Sequence, residues 1–275
     1  MDILIFDMDG VLVDASGSFT LATAATVRWC WENLLKGSVD CDRYTIEYFN
    51  IAKTHPALND DINVSWLILR AMLRTGRKSM KEAFPSLEAW KNEVDALAAD
   101  VSMEDLAREN AQVPPLGEVR LVLEEMYFGT ENYAKFKGKV RGIGGEGLWK
   151  DEKPGTSRDW KELGLPVGIY TGRTRNEVDL GYKILNWHGF PDNMLVCSSG
   201  RILKPSPEGL SILCERSGTK DPAFFGDTVS DLAAWDAFGR GSFIGIGPIL
   251  KGESLRRGLP NFDTLEEALS SLLPS

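Results

Sequence analysis

Histidine is scarce in this chain, with only His55 and His188 among 275 residues. His55 precedes a proline and His188 ends a helical pattern, so both read as structural. Cysteine is nearly as rare. Cys30, Cys41, Cys197 and Cys214 show neither CxxC spacing nor a dense pattern. That excludes a zinc ribbon and a disulfide scaffold, and the expectation is reduced thiols, mostly in a core, in a cytoplasmic protein. No apolar run approaches the length that spans a bilayer, so no membrane partner is expected. The opening MDILIFDMDG has no basic start and no small-residue cleavage site, which argues against a signal peptide. Long basic runs are also missing. With 31 basic and 40 acidic residues the formal charge is −9, a poor match to nucleic acid. No internal repeat or low-complexity tract is visible, and the sequon Asn63-Val64-Ser65 reads as a chance match.

The pattern that is present is strand alternating with helix, at the two ends of the chain. DILIF (2–6) is a short apolar run bounded by acids, suited to a strand buried on both faces. Similar runs are LPVGIY (165–170), MLVC (194–197), PAFFG (222–226) and SFIGIG (242–247). Helical patterns at 175–189, 206–218 and 230–239 each end in glycine, and a further one fills 264–273. Residues 16–150 show helical patterns and almost no strand pattern, clearest at 19–37, 42–54, 62–76, 86–100 and 116–129. This predicts an α/β fold: a Rossmann-like parallel sheet core with helices on both faces, built from 1–15 and 151–275, plus an inserted, mostly α-helical domain over 16–150. The glycine-rich stretch 141–155 reads as the return linker. Its GIGGEG (142–147) fits G-x-G-x-x-G but follows no strand and opens no helix, so no dinucleotide site is expected. In KFKGKVR, Lys135, Lys137, Lys139 and Arg141 recur at period two and read as a solvated hairpin edge.

In a parallel α/β sheet, ligands bind beyond the carboxyl ends of the strands. The strand ends here supply Asp7 and Asp9 (IFDMDGVLVD), Thr171 (YTGR), Lys204 (KPSPEG), and Asp227 and Asp231 (GDTVSD). Four carboxylates in one pocket require a cation. Oxygen ligands without His or Cys favour Mg²⁺ over zinc. Magnesium uses one or two carboxylates with phosphate and water, which leaves an aspartate available as nucleophile. The pattern points to phosphoryl transfer, with Lys204 and Mg²⁺ neutralising the transferred group and Thr171 hydrogen-bonding it.

DMDGVLVD, YTGR, KP and GDTVSD, in that order, resemble the four motifs of the haloacid dehalogenase-like hydrolase superfamily, phosphatase branch. The match covers 2–14 and roughly 152–250, and the helical insertion resembles the cap of phosphoglycolate phosphatase-like members. The resemblance implies that Asp7 attacks phosphorus and becomes an aspartyl phosphate. Asp9 would protonate the leaving group and then activate water. Asp7, Asp227 and the Asp9 carbonyl would ligate Mg²⁺, with Asp231 ligating directly or through water. Thr171, Lys204 and the Gly172 N–H would bind the phosphoryl group, and Gly10 would let the chain turn. A carboxylate at Asp9 separates phosphatases from the members that cleave carbon–halogen bonds. Phosphomutases share the motifs, and an inactive binding relative is a further alternative. Arg173 is expected at the pocket rim, either touching substrate or pairing with Glu177. A closing cap would exclude water and admit a small phosphorylated metabolite; its identity and the oligomeric state are left open.

Overall fold

A computed structural model of the chain describes residues 1–58, 60–98, 100–198 and 202–273. The chain forms two compact units, one of Met1–Ala15 with Glu152–Ser275, the other of Ser16–Asp151.

The first unit carries β1 (Ile3–Phe6) and β2 (Val13–Asp14) before the insertion. After it come β3 (Lys153–Pro154), β4 (Val167–Tyr170), β5 (Leu195–Val196), β6 (Pro222–Gly226), β7 (Ser242–Ile246) and β8 (Asn261–Phe262). Six strands form one parallel sheet in the order β5-β4-β1-β6-β7-β8. Every residue of β1, β4 and β6 is buried, which is why these segments read as unbroken apolar runs. Phe6 stacks on Phe225 and Tyr170 on Phe224 across neighbouring strands. β1 lies between β4 and β6, so the sheet's topological switch falls at the end of the first strand, where ligands bind in such sheets.

The insertion holds α1 (Ser16–Asn33), α2 (Ile46–Ala52), α3 (Asp61–Arg74), α4 (Met80–Ala83), α5 (Leu87–Asp95), α6 (Met103–Glu109), α7 (Leu116–Phe128) and α8 (Thr130–Lys137). Side chains of Asp60, Ser79, Ser86 and Ser102 cap α3, α4, α5 and α6. Its core is built on Trp31, Trp66, Trp90, Tyr127 and Tyr133, all fully buried or nearly so. Each of these indoles donates to a backbone carbonyl, of Lys78, Pro114 and Tyr48 respectively.

The core unit's helices are α9 (Arg175–Leu185), α10 (Glu208–Ser217), α11 (Val229–Phe238), α12 (Lys251–Arg257) and α13 (Leu265–Leu272). Gly218 and Gly239 end α10 and α11 in the left-handed conformation, as their glycines suggest. The helix expected to run to Gly189 stops four residues earlier, because Asn186 takes the left-handed cap (φ 57°). Among the two-residue strands, β5 falls in the apolar run MLVC, whereas β2, β3 and β8 are too short to leave a periodic signal of their own. Of the hairpin expected at 135–141, residues 135–137 are the last turn of α8, capped by Gly138 at φ 75°, and 139–141 follow it outside any helix or strand. Four residues at period two were outweighed by Tyr133 packing one turn before Lys137.

The glycine-rich return linker has a specific internal partner. Glu125 on α7 is fully buried. Its carboxylate accepts from the backbone N–H groups of Arg141, Gly142 and Ile143 (2.7, 2.7 and 2.9 Å) and from the Thr130 hydroxyl (3.1 Å). Gly144 passes so close that a Cβ would lie 2.0 Å from the Glu125 carbonyl oxygen. Burial pushes the Glu125 carboxyl up, but these donors outweigh it and hold it below the usual range. Glu125→Ala is expected to cost about 2 kcal/mol, since it removes a buried acceptor from four part-buried donors. Urea unfolding at neutral pH measures this. The sign in pH follows: the Glu125 contribution is present above its unfolded value and is lost as acid protonates the folded carboxylate.

Candidate active site

The end of β1 is shaped by a tight turn. Val13 N–H donates to the Met8 carbonyl and Gly10 N–H to the Val13 carbonyl, both at 2.8 Å. Gly10 sits at φ 72°, and a Cβ there would meet Asp227 Oδ2 at 2.1 Å, so only glycine lets the turn lie against that carboxylate. Asp7 stays in register beside β6, its N–H donating to the Phe225 carbonyl. β6 ends in Gly226, where a Cβ would meet the Asp231 Cβ at 2.4 Å. Asp231 opens α11 in a capping box: its Oδ2 accepts from the N–H and hydroxyl of Thr228, at 3.0 and 2.5 Å. The same carboxylate thus caps a helix and faces the site.

Asp7, Asp227 and Asp231 each offer an oxygen within 4.8 Å of the others. Lys204 joins the cluster, its Nζ 2.7 Å from Asp7 Oδ1 and 2.6 Å from Asp231 Oδ1. One ammonium against three carboxylates leaves a formal deficit of two positive charges. Burial, reinforced by the charges of Asp231 and Asp9 against the opposing pull of Lys204, pushes the Asp7 carboxyl up to about 7. Asp227 is raised by burial first and then by Asp231 and Asp7. Burial alone would depress Lys204, but Asp231 and Asp7 hold its ammonium above the ordinary range. Asp227 Oδ1 is buried with no hydrogen-bond partner among the described residues. An oxygen-only donor set, a net negative charge and an orphaned carboxylate oxygen together fit a hard divalent cation such as Mg²⁺.

The raised Asp7 carboxyl couples cation binding to loss of its proton, because the ionised oxygen is the better ligand. In the metal-free fold the raised value works against folding progressively from about pH 4, where the unfolded carboxyl ionises, to about pH 7, and by a constant amount above that. Mg²⁺ affinity is therefore expected to tighten as pH rises from about 6 to about 8, with proton release at the acid end. Calorimetric titration in buffers of different ionisation enthalpy reads both.

On the other side of β1, the Thr171 side chain is buried and Gly172 is exposed. Thr171 Oγ1 accepts from the N–H of Arg173 at 3.1 Å. Arg173 is not at a rim. It is 2% exposed, and its Nε and one terminal nitrogen, Nη2, lie 2.8 and 2.6 Å from Asp9 Oδ1. It meets Glu177 through that residue's backbone carbonyl, at 3.3 Å, and its charge pulls the Glu177 carboxyl down against the larger effect of burial. The Glu177 carboxylate instead caps its own helix at Thr174. The Asp9 carboxylate, paired with Arg173, is not among the three acids whose oxygens lie within 4.8 Å of one another, and 38% of its side chain is exposed. The guanidinium has a second acid, Glu152, at 2.9 Å. Glu152 belongs to no motif and sits at the end of a linker, so sequence offered no signal for it.

Residues 1–239 match the haloacid dehalogenase-like hydrolase family. The chain belongs to that family. No curated protein matches this chain. Among solved structures it resembles phosphatase Tt82 from Thermococcus thioreducens, at 21% identity over 98% of each chain and a TM-score of 0.70. A hydrolase from Pseudomonas syringae superposes with a TM-score of 0.51 at 14% identity, over 100% of both chains. A haloacid dehalogenase-like protein of unknown function from Agrobacterium tumefaciens gives 0.51 at 14%, over 99% of this chain and 97% of that one. At these identities the likeness carries the fold, an α/β sheet with an inserted helical cap. Among the described residues no helix is long and apolar enough to cross a membrane.

Proposed function

We propose that this hydrolase cleaves phosphate monoesters of small metabolites through an aspartyl phosphate on Asp7. The observation that carries the reading is the division of labour among the acids. Asp7 lies buried against Lys204 in a charge-deficient cluster, whereas Asp9, two residues on, is half-exposed and paired with Arg173.

An Asp7 oxygen attacks phosphorus, and the bond to the ester oxygen breaks. Asp9 gives its proton to the departing alkoxide, then takes a proton from a water that attacks phosphorus and returns Asp7 as a carboxylate. Lys204 and the Thr171 hydroxyl neutralise and orient the phosphoryl oxygens, and the exposed Gly172 N–H is a further donor. Asp7, Asp227, the Asp9 carbonyl and Asp231 would hold Mg²⁺, which supplies charge stabilisation for the transferred group and screens it from the nucleophile's own charge. The 21% identical phosphatase from Thermococcus thioreducens supports the choice of reaction, as does a carboxylate at Asp9.

Phosphate release across a panel of phosphorylated metabolites, with Mg²⁺ and with EDTA, tests the assignment. Metal-dependent release from one ester far above the rest supports it and names the substrate. Isomerisation of a sugar phosphate that needs a bisphosphate and frees no phosphate would replace it with a phosphomutase. Silence on every ester, aryl phosphates included, would favour the phosphomutase or an inactive binding relative over a phosphatase.

A further inference from the structure

Glu152 has no part in the steps above, yet its carboxylate is fully buried. Burying an unpaired carboxylate is costly, so its partner identifies what it is there for. Its charged partner at 2.9 Å among the described residues is Arg173, whose side chain is 1% exposed. The guanidinium is committed on all sides: Nη2 to Glu152 and to Asp9, Nε to Asp9, and the other terminal nitrogen, Nη1, to the Glu177 carbonyl. Its backbone N–H is spent on Thr171. Nothing in this arrangement presents Arg173 to an incoming anion.

The acid behind the arginine is itself fixed in place. Glu152 immediately precedes β3, which pairs antiparallel with β2, Asp14 opposite Lys153 and Val13 opposite Pro154. Gly155 N–H donates to the Leu12 carbonyl at 2.7 Å, and a Cβ on Gly155 would lie 2.1 Å from the Val11 carbonyl oxygen. The returning chain is thus clamped to the segment that follows Asp9. Both contacts of the guanidinium with Asp9 fall on Oδ1, so the fork does not occupy Oδ2.

We propose that Arg173, braced by Glu152, is a positioning residue that locks the Asp9 side chain by one oxygen and leaves the other for the leaving group and the water. The assignment rests on Asp9 being the acid and base of the proposed phosphatase reaction. Two donors of a rigid, braced guanidinium converging on Oδ1 fix the place of that oxygen more tightly than a single flexible ammonium does. Misplacing a proton-transfer group by about 1 Å is enough to cost on the order of 10²-fold in rate.

The test is rapid-mixing kinetics of Arg173→Gln, with Mg²⁺ present, on p-nitrophenyl phosphate and on the best alkyl phosphate of the panel. Nitrophenolate is a good leaving group and needs little acid help; an alkoxide needs it fully. The expected result is release of the first nitrophenol within about threefold of wild type, with alkyl release about 10²-fold slower. The water step is slowed too, so a burst of nitrophenol precedes slow turnover, and KM changes little. Adding Asp9→Asn to the variant costs little more, because both act through one carboxylate. Arg173→Lys, which keeps a charge against Glu152, carries the same test if Arg173→Gln does not fold, and shows a smaller loss of the same kind. Equal losses on both esters, or a raised KM with unchanged kcat, would overturn the proposal in favour of a structural or substrate-anchoring role. If wild type itself releases no phosphate, the phosphatase reading fails; if wild type is active and Arg173→Gln matches it, only the positioning role fails.

Discussion

Asp7→Asn is expected to leave the protein folded and to remove about 10⁴-fold or more of its turnover. The amide copies the shape of the carboxylate but cannot attack phosphorus, and it is a poorer ligand for a hard cation. Lys204 keeps Asp231 as its partner at 2.6 Å, so no buried ammonium is orphaned. The substitution also removes one of the mutually repelling acids whose burial raises Asp7 and Asp227. Without metal the variant should therefore melt at the same temperature as wild type or higher, while its stabilisation by Mg²⁺ shrinks. A thermal melt with and without Mg²⁺, beside an activity assay, reads both. Substantial turnover in a preparation free of contaminating phosphatase would contradict the nucleophile assignment.

Asp9→Asn is expected to lower turnover by about 10²–10⁴-fold, with the loss at least as large in breakdown of the phosphoenzyme as in its formation. Asparagine can still accept the Arg173 fork through its carbonyl oxygen, so the side chain stays placed but can neither give nor take a proton. Arg173 also keeps Glu152 at 2.9 Å, which protects the fold. With an aryl phosphate the first step needs little acid, and phosphoenzyme should accumulate. Quenched-flow kinetics separates the steps. Breakdown at the wild-type rate would remove Asp9 from the second step.

The main sheet was readable because its central strands are buried on both faces and so run apolar without interruption. Asp7, Lys204 and Asp227 could be expected near one another because a parallel sheet gathers its strand ends at one edge, and the three do meet there with Asp231. The two-residue ladder of β2 and β3 was not readable, since it is shorter than any periodic signal, and with it went Glu152, whose importance comes from where that ladder holds it. Arg173 was visible, but its direction was not. An arginine after Thr171 looks exposed until two acids from distant positions, Asp9 and Glu152, draw it inward. Asp231 was expected as a metal-site residue, yet its second task, capping α11 from a Thr-x-x-Asp box, lay unread in GDTVSD. In KFKGKVR, alternation over a few residues lost to the helix that Tyr133 anchors.

The central claim is that the phosphoryl group rests on Asp7. The most direct measurement is peptide mapping by mass spectrometry of Asp9→Asn, acid-quenched during turnover of p-nitrophenyl phosphate with Mg²⁺. The account predicts about one nitrophenol released per site in the burst and a phosphoryl group on the peptide at Asp7. A burst with the phosphoryl group on any other residue, or steady release with no phosphoenzyme at any time, would contradict it.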